Sequence, residues 1–471
     1  MKRVYTIVAS IAVACLTACG NTDPSSQPAH SSDFFDGPAT VQEALEWREE
    51  AFQNQHALGF GALEFEIDAD EFLDRLENSF FEPNSMGYAI ALLQDGNLLG
   101  TRIGGYARAE QDGAVRWTET TKLHIASTTK PITAMAILDA LRERGLGVDE
   151  TIGAYLPDYW AFGPGINAIT FEQLLRHRSG LIANDSGNGG ISFELAKNVV
   201  ASGVEDVASG RCDLEQQTDP VPTEFATDLE GSSVPFCPGD PRYQNVNFVI
   251  ARVVAVILDE RVDQDVCRGI LDLDQCWDSE TKAAFDEMIR DRVFEKASLS
   301  QIALGPSGRF ALAYASKNDA QPGSSGASAA RGVGAVGLFL SLLEMCDLVG
   351  QFTTEGVISA GDRLILLQGS YGYTRGFLAL DGTDTLFETI LLNGTRYPIH
   401  TWEGSWSRDV QAERNSIFFY PGSIVFIAMY NSDFEPVPTL DGTRPWPLSR
   451  WVRCAYVNAI AEGDDPIENR C

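Results

Sequence analysis

Apolar positions along this chain follow two rhythms, strand-like near its two ends and helical between them. Within 87–100 two apolar runs flank Asp95-Gly96-Asn97, the pattern of a β-hairpin with its turn residues in place. A second hairpin is predicted over 416–430, where Ile417, Phe418 and Phe419 are followed, across Pro421-Gly422, by Ile424, Val425, Phe426 and Ile427. Over 131–144, Ile132, Met135, Ala136, Leu138 and Leu141 recur at helical spacing, with Gly145 placed as a C-cap. Helical patterns also cover 41–53, 72–78, 247–258, 279–296, 336–349 and 451–461. Strands at both ends with helices inserted between them predict one sheet assembled from the two termini and an all-helical lobe in the middle. The lobe is expected over about 131–320, and the sheet over about 60–126 and 365–470.

Composition changes the picture at the N-terminus. Lys2 and Arg3, an apolar run over 4–13 and small residues before a cysteine have the layout of an export signal over 1–18. Leu16-Thr17-Ala18-Cys19 resembles a bacterial lipobox, which makes Cys19 the acylated anchor and the stretch over 19–40, Ser/Pro-rich from Asn21 to Ser32, a flexible tether. The alternatives are plain cleavage after Ala18 or a transmembrane helix, although the apolar run is shorter than the roughly 20 residues a span requires. Gly20 after Cys19 favours the outer membrane, with the domain over 41–471 facing the periplasm.

A formal charge of −31, spread along the chain, repels polyanions and argues against nucleic acid as a partner. Of nine cysteines, Cys15 leaves with the signal. An exported chain permits disulfides. Sequence proximity pairs Cys212 with Cys237, Cys267 with Cys276 and Cys454 with Cys471, one choice among many connectivities, and leaves Cys346 free inside an apolar helix. The stretch over 183–239 is rich in Gly, Ser, Asp and Pro and reads as a disulfide-clipped excursion. No cysteine pair has zinc-site spacing and five histidines are scattered singly, so neither a metal nor an organic cofactor is expected.

The candidate chemistry lies where an apolar run passes into the 131–144 helix. With Ser127 at the helix start, Lys130 three positions on shares its face. The helix N-terminus stabilises negative charge developing on Ser127, and a desolvated Lys130 accepts its proton. A second Ser-x-x-Lys, Ser279 to Lys282, sits among Asp278, Glu280 and Asp286 on an exposed helix, where lysine stays charged. There is no Gly-x-Ser-x-Gly elbow at Ser127, and His124, His177 and His400 read as structural, which disfavours a Ser-His-Asp triad.

Further along come Leu174-Leu-Arg-His-Arg-Ser-Gly-Leu181 and Tyr243-Gln-Asn245, the latter opening an apolar helix. In this order of motifs, over about 72–461, the chain resembles the serine β-lactamase and penicillin-binding-protein-like superfamily, especially class C β-lactamases and their related esterases and peptidases. The resemblance implies an α+β, β-lactamase/transpeptidase-like fold, an α/β sandwich whose antiparallel sheet is flanked by helices, with an all-α lobe. It also implies an acyl-transfer site in which Ser127 is the nucleophile, Lys130 and Tyr243 handle protons, and Asn245 positions the substrate carbonyl or Lys130. Tyr456-Val-Asn458 repeats the second motif inside the last helix and reads as packing.

The family's third motif, Lys-Thr-Gly or His-x-Gly, is matched here by Trp402-Glu403-Gly404, with Ser405 next to lend a backbone N–H to the oxyanion hole. Tryptophan in place of a cation offers an apolar wall and one N–H donor, a bias toward neutral acyl esters over penicillins, unless His400 or Arg375 supplies the charge. The expected activity is therefore a serine hydrolase acting on a small acyl substrate, most simply a carboxylic ester. D-amino-acid peptidase and β-lactamase are alternatives, and a non-catalytic cell-envelope binding lipoprotein is the alternative of another class.

Overall fold

The computed structural model describes residues 66–183, 192–204, 243–299, 302, 304–305, 310–326, 332–369, 389–392, 395–408, 410–433 and 448–460. Cys19 and the tether, the 41–53 pattern, Cys212, Cys237, Cys471, Arg375 and much of the 183–239 excursion lie outside the described residues. In chain order the elements are α1 (Ala69–Leu76), β1 (Gly87–Gln94), β2 (Asn97–Arg108), β3 (Val115–Arg116), β4 (Leu123–His124), α2 (Thr129–Glu143), α3 (Phe171–Leu175), α4 (Phe193–Ser202), α5 (Asn245–Leu258), α6 (Leu273–Ile289), β5 (Phe339–Leu340), α7 (Leu342–Thr353), α8 (Ala360–Gly369), β6 (Thr389–Leu392), β7 (Thr395–Pro398), β8 (His400–Arg408), β9 (Gln411–Tyr420), β10 (Ile424–Tyr430) and α9 (Leu448–Ile460). No helix among the described residues is long and apolar enough to cross a membrane.

Both predicted hairpins form. Asp95 and Gly96 take positive φ values of 50° and 76°, the left-handed pair that matches the twist of β1 and β2. The second hairpin turns through Gly422 and Ser423 between β9 and β10. The two hairpins meet where β1 pairs antiparallel with β10, Tyr88 opposite Tyr430, giving a six-stranded sheet in the order β3-β2-β1-β10-β9-β8.

Between Tyr88 and Leu93 of β1 and throughout β10 every residue is apolar or aromatic and buried, because both faces of the sheet are covered. Ala89, Ala91 and Leu93 of β1, with Val425, Ile427 and Met429 of β10, join the large core shared with α2, α5 and α7. The alternate residues Tyr88, Ile90, Leu92, Phe426 and Ala428 pack instead against Phe72 and Leu73 of α1 and Val452 and Tyr456 of α9. The helices α2 to α6 make the lobe inserted between β4 and β5.

The 336–349 pattern resolves differently. Phe339 and Leu340 pair with His124 and Leu123 as β5, and the helix begins only at Leu342, where Ser341 and Glu344 close a reciprocal capping box. Apolar runs do not distinguish a short buried strand from a buried helix, and here the cap decides. Similarly, α6 begins at Leu273 under an Asp272 cap, ahead of the predicted Ser279. Cys267 and Cys276 are joined by a disulfide, Cys454 is disulfide-bonded, and Cys346 is a buried free thiol.

One ionic knot ties the lobe together. Arg292 donates to Asp139 of α2 at 2.8 Å, to Glu143 at 2.6 Å and to Asp259 at the end of α5, while Lys296 and Arg142 also reach Asp139. Burial alone would raise both aspartates, yet their basic partners hold them below the usual carboxylate range. Their contribution is thus present above the unfolded carboxylate pKa and lost as pH falls through the lowered folded values. Arg292→Ala is expected to cost about 1–3 kcal/mol at neutral pH, and less in acid, measured by urea unfolding at both pH values.

Candidate active site

Ser127 stands in a 3-10 turn, Ala126–Thr128, between β4 and the first turn of α2. The turn is forced and fastened. Ala126 has φ 46°, a left-handed backbone that non-glycine residues rarely adopt, so its surroundings must hold it. Asn415 of β9 does much of this, donating to the Ile125 carbonyl at 2.9 Å and to the Gly404 carbonyl at 3.4 Å while accepting from the Thr128 hydroxyl. Gly404 of β8 lies so close that a Cβ there would sit 2.2 Å from the Ile125 oxygen. Only glycine lets the strand backbone approach the nucleophile turn this far.

The predicted trio converges. Lys130 Nζ lies 2.9 Å from Ser127 Oγ, 2.6 Å from the Tyr243 hydroxyl and 3.0 Å from the Ala335 carbonyl. The Tyr243 hydroxyl is itself 2.6 Å from Ser127 Oγ and 3.2 Å from Asn245 Oδ1. Lys130 is 0% exposed, and among the described residues no carboxylate pairs with it. Burial alone pushes its pKa far below the ordinary lysine value, so the amine is driven toward its neutral form. Ser127 and Tyr243 are only half-buried, which leaves the hydroxyl within reach of a substrate.

The 174–181 motif supports Tyr243 from behind. His177 takes φ 54°, and its Nδ1 accepts from the Gln244 N–H and the Asn247 amide at 3.3 Å each. Its ring centroid lies 4.6 Å from that of Tyr243. Burial holds His177 well below its usual pKa, so it packs as a neutral ring. Ser179 donates to Asn247 at 2.6 Å and accepts from Leu181 N–H, closing the turn onto α5. Gln244, Asn247, Asn415 and Ala335 were not singled out by the sequence. Asn415 leaves one trace there, a polar residue beside an otherwise apolar strand run.

The other expected positions lie as follows. Trp402 is 1% exposed, with its ring 4.9 Å from Phe352 and 4.7 Å from Phe419, so it belongs to the core beneath the sheet and not to an open pocket wall. Ser405 follows Gly404 on β8 and is exposed, at the end strand of the sheet. His400 is buried, and desolvation lowers it to about 4. The second Ser-x-x-Lys lies on α6, where Lys282 pairs with Asp278 at 2.6 Å. The second Tyr-x-Asn lies on α9, where Tyr456 stacks on Tyr420 and donates to the Pro421 carbonyl. Among the described residues no group of three or more His, Cys, Asp or Glu side chains is placed to hold a metal.

This sheet with its inserted lobe is the β-lactamase/transpeptidase-like fold of the serine hydrolases. A Yersinia pestis β-lactamase/D-alanine carboxypeptidase complexed with citrate is similar at a TM-score of 0.51 and 13% identity, over 78% of this chain and 93% of that one. The chain belongs to the Beta-lactamase family, whose profile matches residues 73–436. It is also similar to Protein flp of Staphylococcus aureus strain N315, at 29% identity over 24% of this chain and 23% of that protein. The putative penicillin-binding protein PbpX of Bacillus subtilis strain 168 is 30% identical over 21% of this chain and 25% of its own length. The chain therefore matches about a quarter of the length of either relative.

Proposed function

We propose that this protein is a serine hydrolase working through a covalent acyl-enzyme on Ser127, with carboxylic esters or related acyl compounds as substrates. The observation that carries the reading is the fully buried Lys130 amine 2.9 Å from the Ser127 hydroxyl. A neutral amine whose two N–H groups face the Ala335 carbonyl and the Tyr243 oxygen keeps its lone pair for the Ser127 proton. As that proton moves to Lys130, Ser127 Oγ bonds to the carbonyl carbon and the carbonyl π pair moves onto oxygen, which the backbone N–H groups of Ser127 and Ser405 receive. The proton then passes through the Tyr243 hydroxyl to the leaving oxygen as its bond to carbon breaks. Water enters by the same route in reverse and releases the acid.

The ester preference rests on Trp402. Where relatives are expected to carry a cation for a substrate carboxylate, this chain places a ring turned into the core. A peptidase or β-lactamase is the second reading, supported by the names of the similar proteins. A fluorophosphonate probe followed by peptide mass spectrometry is expected to label Ser127. A panel of an ester, a cephalosporin and a D-Ala-D-Ala peptide, with Ser127→Ala as control, is expected to give fastest turnover on the ester. Folded protein that takes no label would instead support a non-catalytic binding module.

A further inference from the structure

Behind the nucleophile lies a second polar pair that the reaction above does not use. His124 of β4 and Glu413 of β9 are both fully buried, with His124 Nδ1 2.6 Å from Glu413 Oε1. Gly326 covers them so closely that a Cβ there would lie 2.4 Å from each of those atoms, and Phe339 and Trp406 flank the imidazole. Both side chains are 0% exposed.

The other ring nitrogen does the connecting. His124 Nε2 accepts from the Gly337 N–H at 3.2 Å, which requires Nε2 bare and places the proton on Nδ1, facing Glu413. Gly337 has φ 109° and ends a turn whose Gly332 carbonyl accepts from Ala335 and Val336. That same turn presents the Ala335 carbonyl to Lys130 and the Gly334 carbonyl to Thr133. Glu413 stands two residues before Asn415, the clamp on the nucleophile turn, and His124 three before Ser127.

We infer that His124 and Glu413 are positioning residues: Glu413 fixes the His124 tautomer, His124 holds the Gly337 amide, and the turn so held aims the Ala335 carbonyl at Lys130. The carbonyl occupies one N–H of the amine and so directs its lone pair at Ser127. This inference rests on Ser127 and Lys130 acting as proposed above. It differs from a packing role because the requirement is an acceptor at Nε2, not the volume of the ring.

The test compares His124→Leu, which fills the space without an acceptor, with His124→Gln, whose amide oxygen restores one. Fluorophosphonate labelling is measured as maximal rate, probe affinity and final stoichiometry. The wild-type protein is expected to label Ser127. His124→Leu is expected to reach the same stoichiometry at least about tenfold more slowly with unchanged probe affinity, and His124→Gln to come within about threefold of wild type. Hydrogen exchange at the 332–338 segment should quicken in His124→Leu and not in His124→Gln. Should His124→Leu fail to fold, Glu413→Leu against Glu413→Gln makes the same comparison. Wild-type rate and wild-type exchange in the leucine variant would overturn the inference. Failure of wild-type protein to label would instead remove the hydrolase reading, and this inference with it.

Discussion

Replacing Lys130 with alanine is expected to slow acylation of Ser127 by about three orders of magnitude, the range in which a well-placed general base operates. Among the described residues the amine and the Tyr243 hydroxyl are the titratable groups on the Ser127 hydroxyl, and the amine's other contact is the Ala335 carbonyl. Desolvation lowers its pKa, and the sign follows: below the lowered value the ammonium has no lone pair and acylation falls about tenfold per pH unit, while above it the rate is level. The labelling rate of wild-type protein should therefore climb with pH and flatten, and Lys130→Ala should lose that slope together with the rate. Lys130→Arg should not rescue, because guanidinium stays charged and its fork does not fit a site built for a point amine. An alanine variant labelling at full rate would remove the lysine from the chemistry.

Gly404→Ala should damage the site out of proportion to the single methyl it adds. The added carbon would meet the Ile125 carbonyl at 2.2 Å, the Asn415 amide at 2.6 Å and the Thr128 hydroxyl at 2.9 Å, all three of them parts of the clamp on the nucleophile turn. Either β8 or the turn must retreat. We expect a loss of about 1–3 kcal/mol in urea unfolding, typical of overpacking. The labelling rate should drop by about a hundredfold, because a displacement near 1 Å is that costly to a near-attack geometry. Gly361→Ala is the control, since a Cβ there meets only the Ser359 hydroxyl at 3.9 Å. Equal behaviour of the two variants would show that the close approach at Gly404 is not needed.

The parts of the site that were legible in the sequence are those in which residue type and spacing carry the chemistry. Ser127 and Lys130 lie one helical turn apart, so their meeting follows from local geometry, and Tyr243 stands two residues ahead of α5, which its motif opens at Asn245. The Ala335 carbonyl was illegible because every residue has one, and the turn that presents this one to Lys130 runs through the positive φ of Gly334 and Gly337. Trp402 was legible as a departure from its motif, but its direction was not. Register pairs it with Ile417 and Gly404 with Asn415, so the ring shares its strand face with the core. His124 read as structural, and its role needed Glu413, 289 residues away, to become visible. Helix onsets failed where caps decided them, Asp272 ahead of its predicted run and Ser341 inside its own.

The pairing of Tyr88 with Tyr430 has a consequence for how the molecule comes into being. Contacts of such long reach must close a large loop before they return any favourable energy, and folds dominated by them form slowly. A growing chain that has passed its first hairpin carries an uncovered apolar strand edge until nearly the whole polypeptide has emerged, a state open to mispairing. Ser127 then acquires its Asn415 clamp only when the last hairpin docks, so chemical competence and completion of the sheet arrive together.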